Sequence, residues 1–421
     1  MDSIEKNQIQ KCLELRSKLE SLLTNKSNII PKSTSLADIV ISHIEINHKH
    51  GTGILLQRIF TDSTHIFAVR SRDMYDGENY LGFGSTCLSH AGLSRAEVFQ
   101  HVLQGLKTID AERAICIPYY PDDVLSAIAV KEIYGIPLCT YIMDDQNVYS
   151  DGISDQLMRE LLVKSSLRLA ISPEIRDVYE SKYKLKFWLL PAVVNRSCFQ
   201  TSSSLPNSQK FQAKTGILIG NIWSNQWFSL LRETIQHSGV ELDWYGNNSQ
   251  AWLNVSDQQL RESGIHDRGY VQEEELIAQL RNHPYAIVPS GTLDERDDRQ
   301  EIGLLSLPSR IPFIMTASQT PIIVLGSQKT AAARFVERFQ VGVVSDYNSE
   351  GFRQAIDYVC SPIVNMAMRK NAATVSSSLA SDDTDEWIWE SLSQGAPADL
   401  RFEQLFADPP ISNPISDLRS E

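Results

Sequence analysis

Several short stretches of this 421-residue chain place small or acidic residues where an apolar run stops, and in an α/β protein that is where ligands meet the backbone. PLCTYIMDD (137–145) ends in Asp144 and Asp145. Two carboxylates there either cap a helix or line a solvated loop, or else one of them holds a hydroxyl of a ligand. TGILIGN (215–221) ends in Gly220 and Asn221, and YAIVPSG (285–291) ends in Ser290 and Gly291. A hydroxyl and free backbone N–H groups at such an edge can meet a ligand. Gly51-Thr52-Gly53 follows the apolar run ADIVISHIEI (37–46), but position 56 is Leu, so the dinucleotide fingerprint is incomplete. The spacing predicts a tight βα turn, either plain or facing a cleft. ERDDRQE (295–301) is a charge run: a solvated loop face, or a lid in which Arg296 or Arg299 reaches a bound phosphate.

The remaining inventory is mostly exclusion. The six cysteines, Cys12, Cys87, Cys116, Cys139, Cys198 and Cys360, form no CxxC pair. Cys116 and Cys139 sit in apolar runs, where a thiol packs as a small hydrophobe, and the pattern implies a reducing compartment. His48 and His50 lie beside the glycines without a converging carboxylate or cysteine set, so no metal site is expected. A net charge of -13 argues against a nucleic-acid partner, which calls for surplus Lys and Arg, while leaving room for one local basic pocket. The polar opening MDSIEKNQIQ lacks a signal-peptide core, and no apolar run reaches about 18 residues. The expected location is the cytoplasm, with peripheral contact at the inner face of a membrane left open.

Alternating elements must position those residues. Residues 4–24 carry apolar positions at helical spacing and predict an amphipathic leading helix, with residues 1–34 as its segment. From 35 to 197 strand-like and helix-like runs alternate. Ser94 with Glu97 predicts a capping box, and Gly135 a helix end. The polar stretch 198–214 reads as a linker, and 215–380 repeats the β-α rhythm. Two doubly wound α/β domains with parallel sheets follow from that pattern. In the final segment 381–421, DDTDEWIWESL predicts a helix, and residues 382–406 are expected to pack back on the first domain and bury Trp387 and Trp389.

Taken in order across residues 37–375, these stretches resemble the GT-B glycosyltransferases, and within them the retaining family 4 type. IPLCTYIMDD, LAISPEIRDVYESKY (169–183), ILIGNIWSNQWFSLLRE, DRGYVQEEELIAQLRNHPYAIVPSG and LPSRIPF (307–313) before TPIIVLG each match a family segment. The resemblance implies two Rossmann-like domains facing a cleft, the first for an acceptor and the second for a nucleotide-diphosphate sugar. It assigns donor contacts to Gly220, Asn221, Tyr270, Val271, Ser290, Gly291, Arg299, Ser309 and Arg310. Gly51, Thr52 and Gly53 become the acceptor loop, and Asp144 and Asp145 the candidate catalytic acids. Arg310 stands where the motif carries its phosphate-facing cation, and its planar fork suits phosphate oxygens. No cofactor or obligatory metal is implied. The acceptor expected is a saccharide or a lipid-linked saccharide.

Two departures from the pattern open a second reading. The stretch LLSLPSRIPFIMTASQTPII, where the family carries Glu-x7-Glu, contains no acid, and the loop after ILIGN lacks the usual Arg and Lys. A GT-B protein without turnover, serving as a binding or assembly subunit, is the alternative. Other GT-B enzymes, such as sugar-nucleotide epimerases, make a third.

Overall fold

The computed structural model describes residues 36–200, 209–246 and 255–407, with Gln10 and Glu14 as single helical positions. The expected leading helix therefore lies, but for those two positions, outside the described residues, as do 201–208, 247–254 and 408–421. The chain divides into two compact units. The first runs to Ile171, resumes over Ile175–Leu189 and returns over Asp383–Asp399; the second holds Ser172–Glu174, Leu190–Asp382 and the chain from Leu400. The crossing at Leu189 comes ahead of the polar stretch 198–214.

In the first unit the described strands are β1 (Leu36–Ser42), β2 (Ile66–Arg70), β3 (Gly84–Cys87), β4 (Asp110–Cys116), β5 (Leu138–Ile142), β6 (Leu167–Ala170) and β7 (Trp188–Leu189). All pairs are parallel, in the order β3-β2-β1-β4-β5-β6-β7. Parallel strands covered on both faces need unbroken apolar runs; Ile39, Val40 and Ile41 of β1 are buried accordingly. Helix Arg95–Gly105 starts on Ser94 with the full capping box to Glu97, and helix Pro121–Tyr134 ends on Gly135 at φ 65°. The strand order reverses between β1 and β4, so their carboxyl ends flank a crevice where the chain turns away on both sides.

The second unit repeats that plan with β8 (Gly216–Ile219), β9 (Leu242–Tyr245), β10 (Ile265–Gly269), β11 (Ala286–Pro289), β12 (Ile322–Leu325) and β13 (Gly342–Ser345), ordered β10-β9-β8-β11-β12-β13 and all parallel. Alternate residues divide between two cores. Ile217, Ile219, Ala286, Val288, Ile322 and Val324 face one. Leu218, Ile287, Ile323 and Leu325 face the other. Here the order reverses between β8 and β11. The edge strands β3 and β10 have no counterpart in the sequence reading, because GSTC and IHDRG are too polar to register as strands.

The returning segment splits. Helix Thr384–Gln394 belongs to the first unit, where Trp387 and Trp389 are buried. Trp389 lies 5.4 Å from the Phe60 ring, with the Arg113 guanidinium 4.4 Å from its own centroid. Arg113 is itself forked onto Asp38 at 2.7 and 2.9 Å. Helix Arg401–Ala407 instead belongs to the second unit, where Phe406 meets Phe335 and Phe339. Residues 400–406 thus part company with the expectation that 382–406 returns as one piece, because Phe406 finds an aromatic pocket in the second unit. Among the described residues no helix is long and apolar enough to cross a membrane. Trp389→Ala should leave a cavity and lower the stability of the first unit by about 3 kcal/mol, read as an earlier first transition in calorimetry; an unchanged thermogram would contradict this packing.

Candidate functional site

The carboxyl ends of β8 and β11 carry the second unit's polar cluster. Gly220 follows β8 at φ 75°, a left-handed position that glycine reaches without strain. Arg310 is the first residue of helix Arg310–Ser318, and its Nη1 donates to the Ile219 carbonyl at 2.8 Å. A Cβ built on Gly220 would stand 3.7 Å from that same nitrogen. Among the described residues no carboxylate pairs with Arg310. Burial pushes its pKa down to about 10, with the nearby Tyr347 working the other way, so the guanidinium stays charged at neutral pH. Tyr347 Oη donates to the Ser290 carbonyl at 2.9 Å and accepts the Ser290 N–H at 3.1 Å, fixing the end of β11.

Close approach explains the glycine next to Ser290. A Cβ on Gly291 would come within 2.6 Å of Asp297 Oδ2 and 3.2 Å of Gly303 Cα. Asn221 and Ser309 are half-buried, and Ser309 is the N-cap without a side-chain cap bond. Tyr270 and Val271 follow the edge strand β10, Tyr270 exposed and Val271 packed on the core. The charge run 295–301 is more than a plain solvated face, because one of its acids is an internal anchor. Asp297 is buried and accepts from Trp227 Nε1 (2.9 Å), Leu293 N (2.9 Å) and Arg299 N (3.0 Å). Asp298 bonds Ser224 and takes its own N–H to Gln226. Arg296 pairs with Asp294 and Arg299 with Glu301, so each arginine of the run has a local acid.

In the first unit Gly51, Thr52 and Gly53 do not form a turn. They are the first residues of helix Gly51–Ile59, which His50 caps. Gly53 is required by packing, since a Cβ there would meet the Asn47 carbonyl oxygen at 2.4 Å. Thr52 Oγ1 lies 3.2 Å from Tyr119 Oη, which donates to Asp144 Oδ2 at 2.5 Å. Burial first, then the Asp144 charge, raises the Tyr119 pKa far above the ordinary phenol range, so it remains a donor. Asp145, the neighbour of Asp144, is engaged by the backbone. Its buried carboxylate accepts the N–H groups of Asn147, Val148, Tyr149 and Ser150 and the Tyr179 hydroxyl. That closes the loop after β5 and engages both carboxylate oxygens.

Neither a protein-family model nor a curated protein sequence matches this chain. Solved structures do. The chain is similar to Anabaena HepE in complex with UDP and glucose, at 13% identity and TM-score 0.63, over 85% of this chain and 100% of that one. It is similar to the lipopolysaccharide outer core galactosyltransferase WaaB at 11% identity and TM-score 0.56, covering 86% and 99%. The trehalose-6-phosphate synthase OtsA follows at 10% identity and TM-score 0.58, covering 86% and 100%. The fold is GT-B.

In this GT-B chain several polar groups at the strand ends have no forewarning in the sequence. Thr292 Oγ1 and Ser306 Oγ are buried with no hydrogen-bond partner among the described residues. His43, directly after β1, is buried against Tyr119 with ring centroids 4.0 Å apart, and its Nδ1 has no such partner either. Burial first, then the His50 and Arg72 charges, pushes His43 down to about 3, so it is neutral. Its position at the end of ADIVIS is the one available clue, and it was masked by the histidines that follow. Asp123 accepts the N–H groups of Tyr119 and Tyr120 at 2.9 and 2.8 Å, and burial pushes its carboxyl up to about 6. His48 and His50 join no group of three or more His, Cys, Asp or Glu among the described residues. Asp145→Ala should strand four backbone N–H groups and destabilise the chain by about 3 kcal/mol or more. Chemical denaturation of that variant tests the assignment, and a stability equal to wild type would return Asp145 to the list of chemical groups.

Proposed function

We propose that this chain is a glycosyltransferase, hexosyltransferase-like, that binds a nucleotide-diphosphate sugar at the carboxyl ends of β8 and β11 and transfers the sugar to a saccharide or lipid-linked acceptor. The observation that carries the reading is Arg310: a half-buried guanidinium at a topological switch point with no carboxylate partner among the described residues. It also begins a helix, where the peptide dipoles are already positive and a cation is disfavoured by a few tenths of a kcal/mol up to about 1. An incoming diphosphate would relieve both costs at once. As the glycosidic bond to phosphate breaks, negative charge grows on the leaving oxygen, and the same fork would neutralise it without an obligatory metal.

The likeness to HepE, described with UDP and with UDP-glucose, makes UDP-glucose the first donor to try. Retention of anomeric configuration and a role in polysaccharide assembly belong to this reading through the family resemblance. Gly220, Asn221, Ser290, Gly291 and Ser309 would supply backbone and hydroxyl contacts beside Arg310, with Tyr270 and Val271 toward the base. Arg299, already paired with Glu301, is the weakest member of that set. Asp144, acting through Tyr119 and Thr52, is the remaining candidate acid.

A second reading, binding or assembly without turnover, is favoured by one feature: residues 304–323 carry no acid. The two separate cleanly. Arg310→Ala should weaken UDP binding roughly ten- to a hundredfold, as loss of a charge-assisted hydrogen bond implies, and Arg310→Lys should recover part of it. The variant also strips the Ile219 carbonyl of its donor, so a melting temperature lower by a few degrees is expected alongside. Calorimetric titration of UDP into the three proteins, with a UDP-glucose turnover assay, decides. Equal affinities would dismiss the phosphate site; tight binding without turnover would favour the second reading.

A further inference from the structure

The first unit also holds two loops, 45–49 and 74–81, fastened to each other by buried polar groups that leave His48, Lys49 and Tyr80 exposed. Glu45 is 1% exposed, and its carboxylate accepts the N–H groups of Met74 at 2.9 Å, Tyr75 at 2.9 Å and Gly77 at 2.8 Å. Burial alone would raise this carboxyl; the backbone donors outweigh it and hold it below the ordinary glutamate value. Asn79 Oδ1 accepts the Ile46 N–H at 3.0 Å, the Ile46 carbonyl accepts the Tyr80 N–H at 2.9 Å, and Asn47 Nδ2 donates to the Glu78 carbonyl at 2.9 Å. Segments 45–49 and 74–81 are therefore one rigid frame.

That frame carries two rings around an ion pair. Tyr80, 50% exposed, stacks on His48 at 5.3 Å with 13° between the planes. Lys49 Nζ meets Glu78 Oε2 at 2.6 Å and lies 5.7 Å from the Tyr75 ring centroid. Tyr80 Oη donates to the same Glu78 oxygen at 3.3 Å. We infer that this platform binds an uncharged saccharide chain, with a pyranose ring against the half-exposed ring of Tyr80 and its hydroxyls on Lys49 and Glu78.

The chemistry selects that ligand class. The electron-rich face of a phenol attracts the slightly positive C–H groups on one side of a pyranose. Neighbouring sugar hydroxyls both donate and accept, and an ammonium beside a carboxylate offers the complement of each. The pair is neutral overall, and Asp76 is exposed on the same loop, so neither a free phosphate nor an anionic lipid surface is favoured. A frame already ordered loses little entropy when a ligand arrives. That the saccharide is an acceptor rests on the glycosyltransferase reading; that it binds here rests on the two loops alone.

The test uses the full chain with two uncharged probes, cellohexaose and maltohexaose, followed by saturation-transfer NMR and calorimetry. Vesicles of phosphatidylcholine with phosphatidylglycerol serve as the competing surface. Wild type should transfer saturation to pyranose ring protons of at least one probe. Tyr80→Phe should keep that binding, and Tyr80→Ala should weaken it roughly two- to tenfold, with UDP affinity unchanged. Should Tyr80→Ala lower the melting temperature, Glu78→Gln reads the same surface without removing a ring. No binding of either probe by wild type, equal binding by Tyr80→Ala and Glu78→Gln, or vesicle sedimentation that depends on Tyr80 would each overturn the inference. Probe binding through Tyr80 in a chain that ignores UDP would keep the platform and sink the glycosyltransferase reading; UDP binding without probe binding does the reverse.

Discussion

Arg310 opens a helix whose aligned peptide dipoles already present positive charge, and its guanidinium is half-buried without a counter-ion among the described residues. Such an arrangement costs stability, so the surrounding structure must over-determine it. The far end of the same helix shows how. Arg369, fully buried, donates to the Ser318 and His283 carbonyls at 3.1 and 3.2 Å, and Arg281 donates to the Ala317 carbonyl at 2.9 Å. Cations at a helix carboxyl end are favourable, and these two tie the last turn to the helices and loops around it. With that end fixed, and with Nη1 fastened to the Ile219 carbonyl, the first residue of the helix has little freedom to swing away from β8.

Acidic groups near the strand ends are employed differently. Glu45, Asp123, Asp145 and Asp297 are all buried, and each accepts backbone N–H groups of a loop that follows or precedes a strand. A carboxylate holding several N–H donors substitutes for the hydration it loses. The acids therefore build the rims of both sheets. The strongly negative net charge does not contradict an anion site in the second unit, because charges spent on loop closure do not surround Arg310.

How much of this could be read from the sequence depends on the range of the signals involved. The helix start at Ser94 and the stop at Gly135 follow from local rules, since cap residues act within one turn. The strand ends at Gly220 and Ser290 were visible because parallel strands leave apolar runs with polar borders. By contrast the glycines at 51 and 53 mimic a turn by composition, while their true constraint is a close approach to Asn47, which no local pattern encodes. Asp144 and Asp145 are adjacent and chemically alike, yet one meets Tyr119 and the other closes a loop; the difference lies in partners about 25 and 34 residues away in sequence. The 295–301 run reads as solvent-facing because charge is the visible property, whereas the buried Trp227 that anchors Asp297 lies on a distant helix.

Both sheets share the order in which the first strand lies beside the fourth, and that common geometry selects which polar residues can matter. In the first unit it brings together His43, Tyr119 and Asp144 at the ends of β1, β4 and β5. In the second it brings together Gly220, Ser290 and Arg310 at β8 and β11. The first set is neutral or anionic and made largely of hydroxyl and imidazole groups; the second is built around a cation. Two chemically different polar clusters thus sit at the same topological position in the two units. The duplication of the strand order is what gives each unit its own crevice at the strand ends.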